Sequence, residues 1–574
     1  MIELSGIPVY KGIEIAPVLL HQEVELIINT TPIEKQQIDD TLHRFESIHN
    51  KAIRELEALK DKAEAAGQGE AAEIFGAHLM MADDPMLNGK IRELIMKKLY
   101  SLEQAIDETK KEIMGMFLSI EDDYLKARVA DVEDVANRFL KLALGIETKG
   151  FEEINEEVIL VAKDLKPSEA SGLTKFIKGI LLEEGSQTSH VAIMAKAKGI
   201  PAIVGLSGIL AQVQNGDQII LDSIQNKVLV HPPEDELLHY RQQRDQLLAK
   251  RQKLDAIKGT EAITKDGRHI KLYGNIGTSA EAEYVANYGG KGVGLFRTEF
   301  LYMNSKHFPT EEEQFKEYKK AVEQGLEDVI IRTLDIGGDK HLPYYEFKEE
   351  ENPFLGFRAL RFTLANTQIF KTQLRAILRA SAFGKASIMF PMVSSLEEVR
   401  KAKELLEICK EELRKEQLGF DPGLCTGIMI EIPSAVIIAD LLIEEVDFFS
   451  IGTNDLCQYT LAVDRMNKDV AYLYQPLHPG ILRLIKQTVD AAHAVNKEVG
   501  ICGEMAGDAV NALALIGLGI DELSMSPAVI PEIKALIRQT SYEELKTLAD
   551  RILNCKTTDD IKTILNQEVE KYDH

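Results

Sequence analysis

The chain has 574 residues, 45% hydrophobic and 28% charged, with a formal net charge of -25 at pH 7. That length exceeds one ordinary core and predicts three or four domains of a soluble globular protein, with no apolar run near the roughly 18–20 residues of a membrane span. So acidic a chain is a poor partner for nucleic-acid phosphates and suits a partner that presents a basic patch.

The opening "MIELSGIPVYKGIEIAPVLL" has early acids and no long apolar block, so it reads as strand and turn rather than as a signal peptide. Residues 33–66 place Ile38, Leu42, Phe45, Ile48, Ala52, Leu56 and Leu59 at a steady three-or-four spacing, which predicts a long amphipathic helix. Further helical pattern follows to about residue 144, broken at "AGQG" and "DDPM". From about 145 the texture changes to short apolar runs, "EEVILVAKDL", "FIKGILLEE", "PAIVG", "DQIILDS" and "KVLVHPP", which read as strands with turns between them. The expected organisation is an α/β domain of residues 1–22 plus 145–233, with 23–144 as an inserted helical subdomain. Residues 234–260 form a charged helical linker, and 261–574 a further domain.

That last domain repeats one rhythm, an apolar run ending in a polar or glycine-rich loop and then a helix-length segment. The runs are "IKLYGNIG", "GVGLFRTEF", "VIIRTLDIGGDK", "SIMFPMV", "GIMIEIPSA", "FFSIGTNDL", "VGICGEMAGD" and "ELSMSPAVI". Eight β-then-α units read as a TIM-type (β/α)8 barrel, so the fold class is multidomain α/β. Chemistry in such a barrel sits on the loops after the strands. Those loops carry Arg297, Arg332, Lys340, Arg358, Glu431, Asn454, Asp455, Arg465 and Cys502. A lone loop arginine is ordinarily a solvated surface residue, and the set as a whole could be salt bridges rimming the barrel. Several cations and two carboxylates on one ring of strand ends instead point to a small ligand with phosphate and carboxylate groups, which arginine forks match in pairs. Glu431 and Asp455 are hard oxygen donors suited to Mg2+ that also holds a substrate phosphate.

The five cysteines form no CxxC pair, and their odd count in a long chain speaks for a reducing compartment and a cytoplasmic location. Cys409, Cys425, Cys457 and Cys555 read as inert apolar side chains. Cys502 follows a strand into the presumed site, where a thiol can deliver a proton to an enolate carbon.

"DFFSIGTNDLCQYTLAVDR" at 447–465, with "RTLDIGGDK", "ENPFLGFRALR" and "CGEMAGD", resembles enzyme I of the bacterial sugar phosphotransferase system, and the resemblance covers essentially the whole chain. It implies that His190 is the phosphorylated residue of a phosphoenolpyruvate-dependent transferase. It implies substrate binding by Arg297, Arg332, Arg358, Asn454 and Arg465, Mg2+ on Glu431 and Asp455, and proton donation by Cys502. A homodimer through the barrel is also implied. The acceptor would be HPr, a small histidine phosphocarrier, docking on the helical insertion near Met80, Met81, Asp83 and Asp84. The phosphohistidine motif departs from the family form Gly-Gly-Arg-Thr-Ser-His: Ser186 stands for the second glycine, Gln187 for the arginine, Val191 for a small residue and Lys196 for a later arginine. Lys196 keeps the charge and loses the planar fork. These departures bear on rate and partner fidelity, not on the nucleophile.

Thr188 or Ser189 can cap the helix that Gly199 and Pro201 end, so His190 falls in its first turn, where free N–H groups and the dipole favour a phosphoryl group. The expected sequence is attack of the His190 imidazole on phosphorus, departure of pyruvate enolate, its protonation by Cys502, and a swing of the small domain to HPr. Pyruvate phosphate dikinase and phosphoenolpyruvate synthase are the enzyme alternatives, but residues 23–144 carry no glycine-rich phosphate loop for a nucleotide. A non-catalytic regulatory scaffold predicts lost site residues, and none of the barrel set is missing.

Overall fold

The computed structural model describes the chain except residues 22–25, 27, 66–68, 119–122, 147–150, 152–153, 166–168, 170–172, 187–190, 193, 196–198, 339, 341 and 573–574. It divides into two compact units, Met1–Lys250 and Arg251–His574.

In the first unit, strands β1 (Ile2–Leu4), β2 (Ile7–Tyr10) and β3 (Ile13–His21) precede helices α1 (Ile38–Ala65), α2 (Gly69–Ala82), α3 (Pro85–Lys98), α4 (Leu102–Leu118) and α5 (Asp123–Ala143). Strands β4 (Val158–Ala162), β5 (Ile177–Leu182), β6 (Ala202–Val204), β7 (Gln218–Asp222) and β8 (Lys227–Val230) follow. The eight strands form one sheet in the order β1-β8-β7-β3-β4-β5-β6-β2, so the opening strands find their partners beyond the helices. β4 is buried along its whole length because both faces are covered. Val158, Leu160 and Ala162 enter one apolar cluster and Ile159 and Val161 another, as period-two alternation requires. In α1 the positions Phe45, Ile48, Ala52 and Leu56 line a core shared with Ile91, Leu94, Val135 and Phe139. Helix α3 starts where the sequence signals it: Asp84 accepts a hydrogen bond from the Met86 amide at 2.6 Å and Pro85 occupies the first helical position.

The helix α6 (Glu234–Ile257) is polar nearly all round. Only Leu237 and Tyr240 are buried, against Ile13, Ile220 and Leu229 of the sheet.

In the second unit, β9 (Lys271–Ile276), β10 (Gly292–Arg297), β11 (Val329–Arg332), β12 (Ser387–Phe390), β13 (Cys425–Ile430), β14 (Phe448–Ile451), β15 (Glu498–Ile501) and β16 (Glu522–Met525) close into a barrel. All eight pairings are parallel. The eight runs recognised in the sequence are its eight strands. Outward-facing residues such as Ile331, Ile388, Ile428 and Ile501 pack under the helices in one continuous core. Inward-facing Leu295, Ile330, Met389, Met429 and Cys502 fill the interior.

Candidate active site

Register places the first two arginines side by side. Arg297 and Arg332 are partnered residues at the ends of β10 and β11. The turn behind them is fixed by a buried glutamine. Gln373 accepts from the Leu334 amide at 2.8 Å and donates to the Thr298 hydroxyl at 3.1 Å, which in turn donates to the Arg332 carbonyl at 2.9 Å.

The cations beyond this point are already engaged. Arg332 donates to Glu299 at 2.5 Å and lies 3.2 Å from Asp335. Lys340 reaches Glu299 at 2.9 Å and Asp335 at 3.0 Å, and Arg358 reaches Asp335 at 2.9 Å. Glu299, Asp335, Arg332 and Arg358 are all buried. Burial alone would push both carboxyls up, but the charges of Arg332 and Lys340 hold Glu299 below its ordinary range. Lys340, Arg358 and Arg332 together hold Asp335 well below its own. The salt bridges of the more ordinary reading therefore exist, yet they leave donors unspent. The Nε atoms of Arg332 and Arg358 are buried and have no partner among the described residues, and neither does Glu299 Oε2. The Arg297 guanidinium makes no ion pair among the described residues and stands at the same strand ends.

Arg358 is set by backbone and by a phenol. Gly337 packs so closely that a Cβ there would lie 2.7 Å from the Arg358 Cβ, and its φ of +100° suits only glycine. The Tyr459 hydroxyl accepts from Arg358 at 3.2 Å and donates to the Phe354 carbonyl at 2.6 Å.

The carboxylates sit opposite. Glu431, just past β13, accepts from the Met392 amide at 2.6 Å, and Met392 holds a left-handed φ of +56° to present it. Burial, then Asp455 and Asp335, push the Glu431 carboxyl up to about 8. Asp455 and Asn454 lie in the first turn of the helix Thr453–Leu461, with Asp455 3.8 Å from Arg358. Asn454 contacts Glu504 at 3.3 Å and the Tyr474 hydroxyl at 3.4 Å. Arg465 approaches the same Tyr474 phenol. A buried carboxylate beside a partly buried one fits a divalent cation whose remaining ligands come from substrate and water. No group of three or more His, Cys, Asp or Glu residues suited to a metal occurs among the described residues.

Cys502 directly follows β15, buried, with its Sγ directed to the Ile451 carbonyl at 3.7 Å. Burial pushes the thiol up to about 11, so it carries its proton at neutral pH.

The barrel thus gathers Arg297, Arg332, Lys340, Arg358, Glu431, Asn454, Asp455, Arg465 and Cys502 on the loops and strand ends of one face. Glu299, Asp335 and Tyr459 belong to the same array and were missed by the sequence reading. The signal for the first two was a charge inside otherwise apolar strand-end motifs, "RTEF" and "TLDIGG". His190, Thr188, Ser189, Gln187 and Lys196 lie outside the described residues. Next to them, residues 191, 192, 194 and 195 are helical, Val191 and Ala195 join the sheet's core, and Gly199 has φ +66°.

Family models match residues 5–128 as the N-terminal, 154–226 as the mobile and 251–542 as the PEP-binding domain of a PEP-utilising enzyme. A phosphoenolpyruvate-protein phosphotransferase of Listeria monocytogenes is 44% identical over 99% of both chains. The chain belongs to the phosphoenolpyruvate-protein phosphotransferase family. A second member, from Mycoplasma capricolum, is 42% identical over 100% of both chains. A solution structure of an Enzyme I protein aligns with 42% of this chain and 99% of its own at 32% identity, with a TM-score of 0.40. As a member of the phosphoenolpyruvate-protein phosphotransferase family the chain is an enzyme, and no helix among its described residues is long and apolar enough to cross a membrane.

Proposed function

We propose that this chain takes the phosphoryl group of phosphoenolpyruvate onto His190 and passes it to a histidine of HPr, releasing pyruvate, as a cytoplasmic first step of sugar phosphotransferase transport. The observation that carries the reading is the set of unspent donors at the barrel mouth. Two buried arginine Nε groups with no partner among the described residues, one of them on Arg332 beside Arg297, call for anionic oxygens. Phosphate and carboxylate on one small molecule satisfy both ends.

Arg297, Arg332, Arg358, Asn454 and Arg465 bind and orient phosphoenolpyruvate, and their fixed positions stabilise charge as it develops. Glu299, Asp335 and Lys340 hold those arginines in place. Glu431 and Asp455 would hold Mg2+, which when bound supplies charge neutralisation at the phosphoryl oxygens. The neutral imidazole of His190 attacks phosphorus, with Thr188 and Ser189 as supporting donors, and the Cys502 thiol protonates the departing enolate at carbon. His190 belongs to the first unit and the substrate site to the second, so turnover requires the two to meet.

HPr docks on the helical subdomain at the α2–α3 corner. There Met80 is 75% exposed beside Met81, Asp83 and Asp84, an apolar and acidic combination that suits a basic carrier. The exposed Leu355, Met466 and Tyr472 on barrel loops suit a homodimer contact.

Radiolabelled phosphoenolpyruvate with Mg2+ should place acid-labile, base-stable label on the protein and then on HPr. Undiminished labelling of a His190→Ala variant would exclude the assignment. Labelling from ATP instead would favour the dikinase alternative.

A further inference from the structure

Beneath Cys502, inside the barrel, two polar atoms are left over. Ser450 and Glu522 are buried, and neither Ser450 Oγ nor Glu522 Oε1 has a hydrogen-bond partner among the described residues. A buried polar atom left unpaired costs stability.

Strand register brings both to the thiol. Gly500 of β15 pairs with Ser450 of β14 on one side and with Glu522 of β16 on the other. Cys502 lies two residues beyond Gly500 and faces the interior, so by alternation Gly500, Ser450 and Glu522 face it too. Gly500 has no side chain, and the Glu522 carboxyl fills the space, since a Cβ there would lie 3.0 Å from Glu522 Oε2. Gly294 makes room on the other flank, where a Cβ would lie 2.3 Å from Glu522 Oε1.

Among the described residues no cation pairs with Glu522. Lys271, the cation whose charge acts on it, is bonded instead to Glu498 at 2.5 Å. A buried carboxyl without a counter-ion stays protonated at neutral pH. Burial, then the charge of Asp328, push it up to about 8. Around it lie Leu295, Ile330, Met389 and Met429, which have no proton to give, the Tyr273 phenol, which burial holds protonated, and the Ser524 hydroxyl, which already donates to Asn275 at 2.6 Å. The Ser450 hydroxyl lies close enough to Cys502 to favour its thiolate, against the effect of burial, although the two do not form a full hydrogen bond.

We propose that Ser450 and Glu522 are the proton supply of Cys502: once the thiol has protonated the enolate, the Glu522 carboxylic acid restores it through the Ser450 hydroxyl. This rests on the reading of Cys502 given above. The Sγ–H bond breaks as the new C–H bond forms on the enolate carbon. The Ser450 proton then passes to Sγ while the Ser450 oxygen takes the proton of Glu522. The Glu522 carboxylate recovers a proton from water or a buffer acid. Neither residue touches the substrate; both are positioning residues that act through Cys502.

The arrangement predicts a kinetic signature that a merely structural role would not give. Cys502 starts protonated, so the first turnover needs no resupply and every later one does. Pyruvate release would be followed by rapid quench of the full chain with phosphoenolpyruvate, Mg2+ and purified HPr. Ser450→Ala and Glu522→Gln should each form one equivalent of pyruvate within about 3-fold of the wild-type rate. Later turnovers should then slow about 100-fold, the low end of what a positioned acid contributes. Ser450→Thr, which keeps the hydroxyl, should restore them. As a readout free of turnover, iodoacetamide alkylation of the Cys502 peptide, followed against pH by mass spectrometry, should move to higher pH in Ser450→Ala.

Equal slowing of first and later turnovers, or no slowing, overturns the proposal, and so does an unmoved alkylation profile. If Cys502→Ala forms pyruvate normally in the first turnover, the role given to Cys502 falls and this proposal with it. If Cys502→Ala is impaired and the other variants are not, only this proposal falls.

Discussion

Asp335 is the position at which the architecture of the mouth is most directly tested. Its carboxylate lies 2.9 Å from Arg358, 3.0 Å from Lys340 and 3.2 Å from Arg332, and all three contacts are largely out of water. At an effective dielectric of about 20, each contact near 3 Å is worth about 5 kcal/mol of Coulomb attraction. The cost of desolvating the four ions offsets much of that gain. Asp335→Asn nearly preserves shape but removes the charge, leaving Glu299 and the more distant Asp455 to balance the buried Arg332 and Arg358 and the half-buried Lys340. Removing one partner of a buried pair costs about 3–5 kcal/mol, and that loss is expected here. Because the chain contains no tryptophan, urea unfolding is best followed by far-ultraviolet circular dichroism. Saturating phosphoenolpyruvate with Mg2+ should stabilise the variant more than the wild type, since substrate oxygens replace the missing carboxylate. A stability loss under about 1 kcal/mol would refute the reasoning. So would a loss that moderate salt abolishes, since that would show a pair screened by solvent.

Three further outcomes follow from the same geometry. Glu522 has a raised pKa, so the folded chain binds more protons than the unfolded one between the ordinary glutamate value of about 4.3 and about 8. Its stabilising contribution is complete below that window and is lost as pH rises through it, at up to about 1.4 kcal/mol per pH unit; Glu522→Gln should flatten this slope in urea titrations at several pH values. Gly503→Ala would put a Cβ 1.8 Å from the Thr453 hydroxyl at the start of the helix bearing Asn454 and Asp455, so KM for phosphoenolpyruvate should rise at least about 10-fold while the α/β unit unfolds unchanged. Tyr459→Phe frees Arg358 from the Phe354 carbonyl, at a cost of about 1 kcal/mol, and should raise KM several-fold with kcat little changed in steady-state assays.

Much of this was legible in the sequence because the fold depends on local periodicity. A barrel strand such as "GIMIEIPSA" is apolar on both faces and ends in a charge, and eight such runs leave few other architectures. The insertion of the helices was legible for the opposite reason, since the opening strands had no partner until β4 and β7. What was hidden is everything that depends on which side chains meet across strands. Arg332 reads as a free cation in sequence and is a buried pair with Glu299 in space, 33 residues away. Glu522 reads as the polar start of a strand. Only the register with Gly500 turns it inward, and only two glycines make space for it.

The buried pairs also bear on specificity. Glu299 and Asp335 fix Arg332 and Arg358 before any ligand arrives, so the donors are aimed without reorganisation when charge develops. The same pairs consume the strongest charges, so under the proposed function the unpaired Nε groups and Arg297 meet the ligand. A ligand with one anionic group can satisfy only part of that set and strands the remainder in a dry site, at about 1–3 kcal/mol for each unmade bond. Selectivity for a molecule with two anionic groups therefore comes as much from the penalty on incomplete ligands as from attraction to the right one. The carboxylates that weaken the site's net positive charge are what make it discriminating.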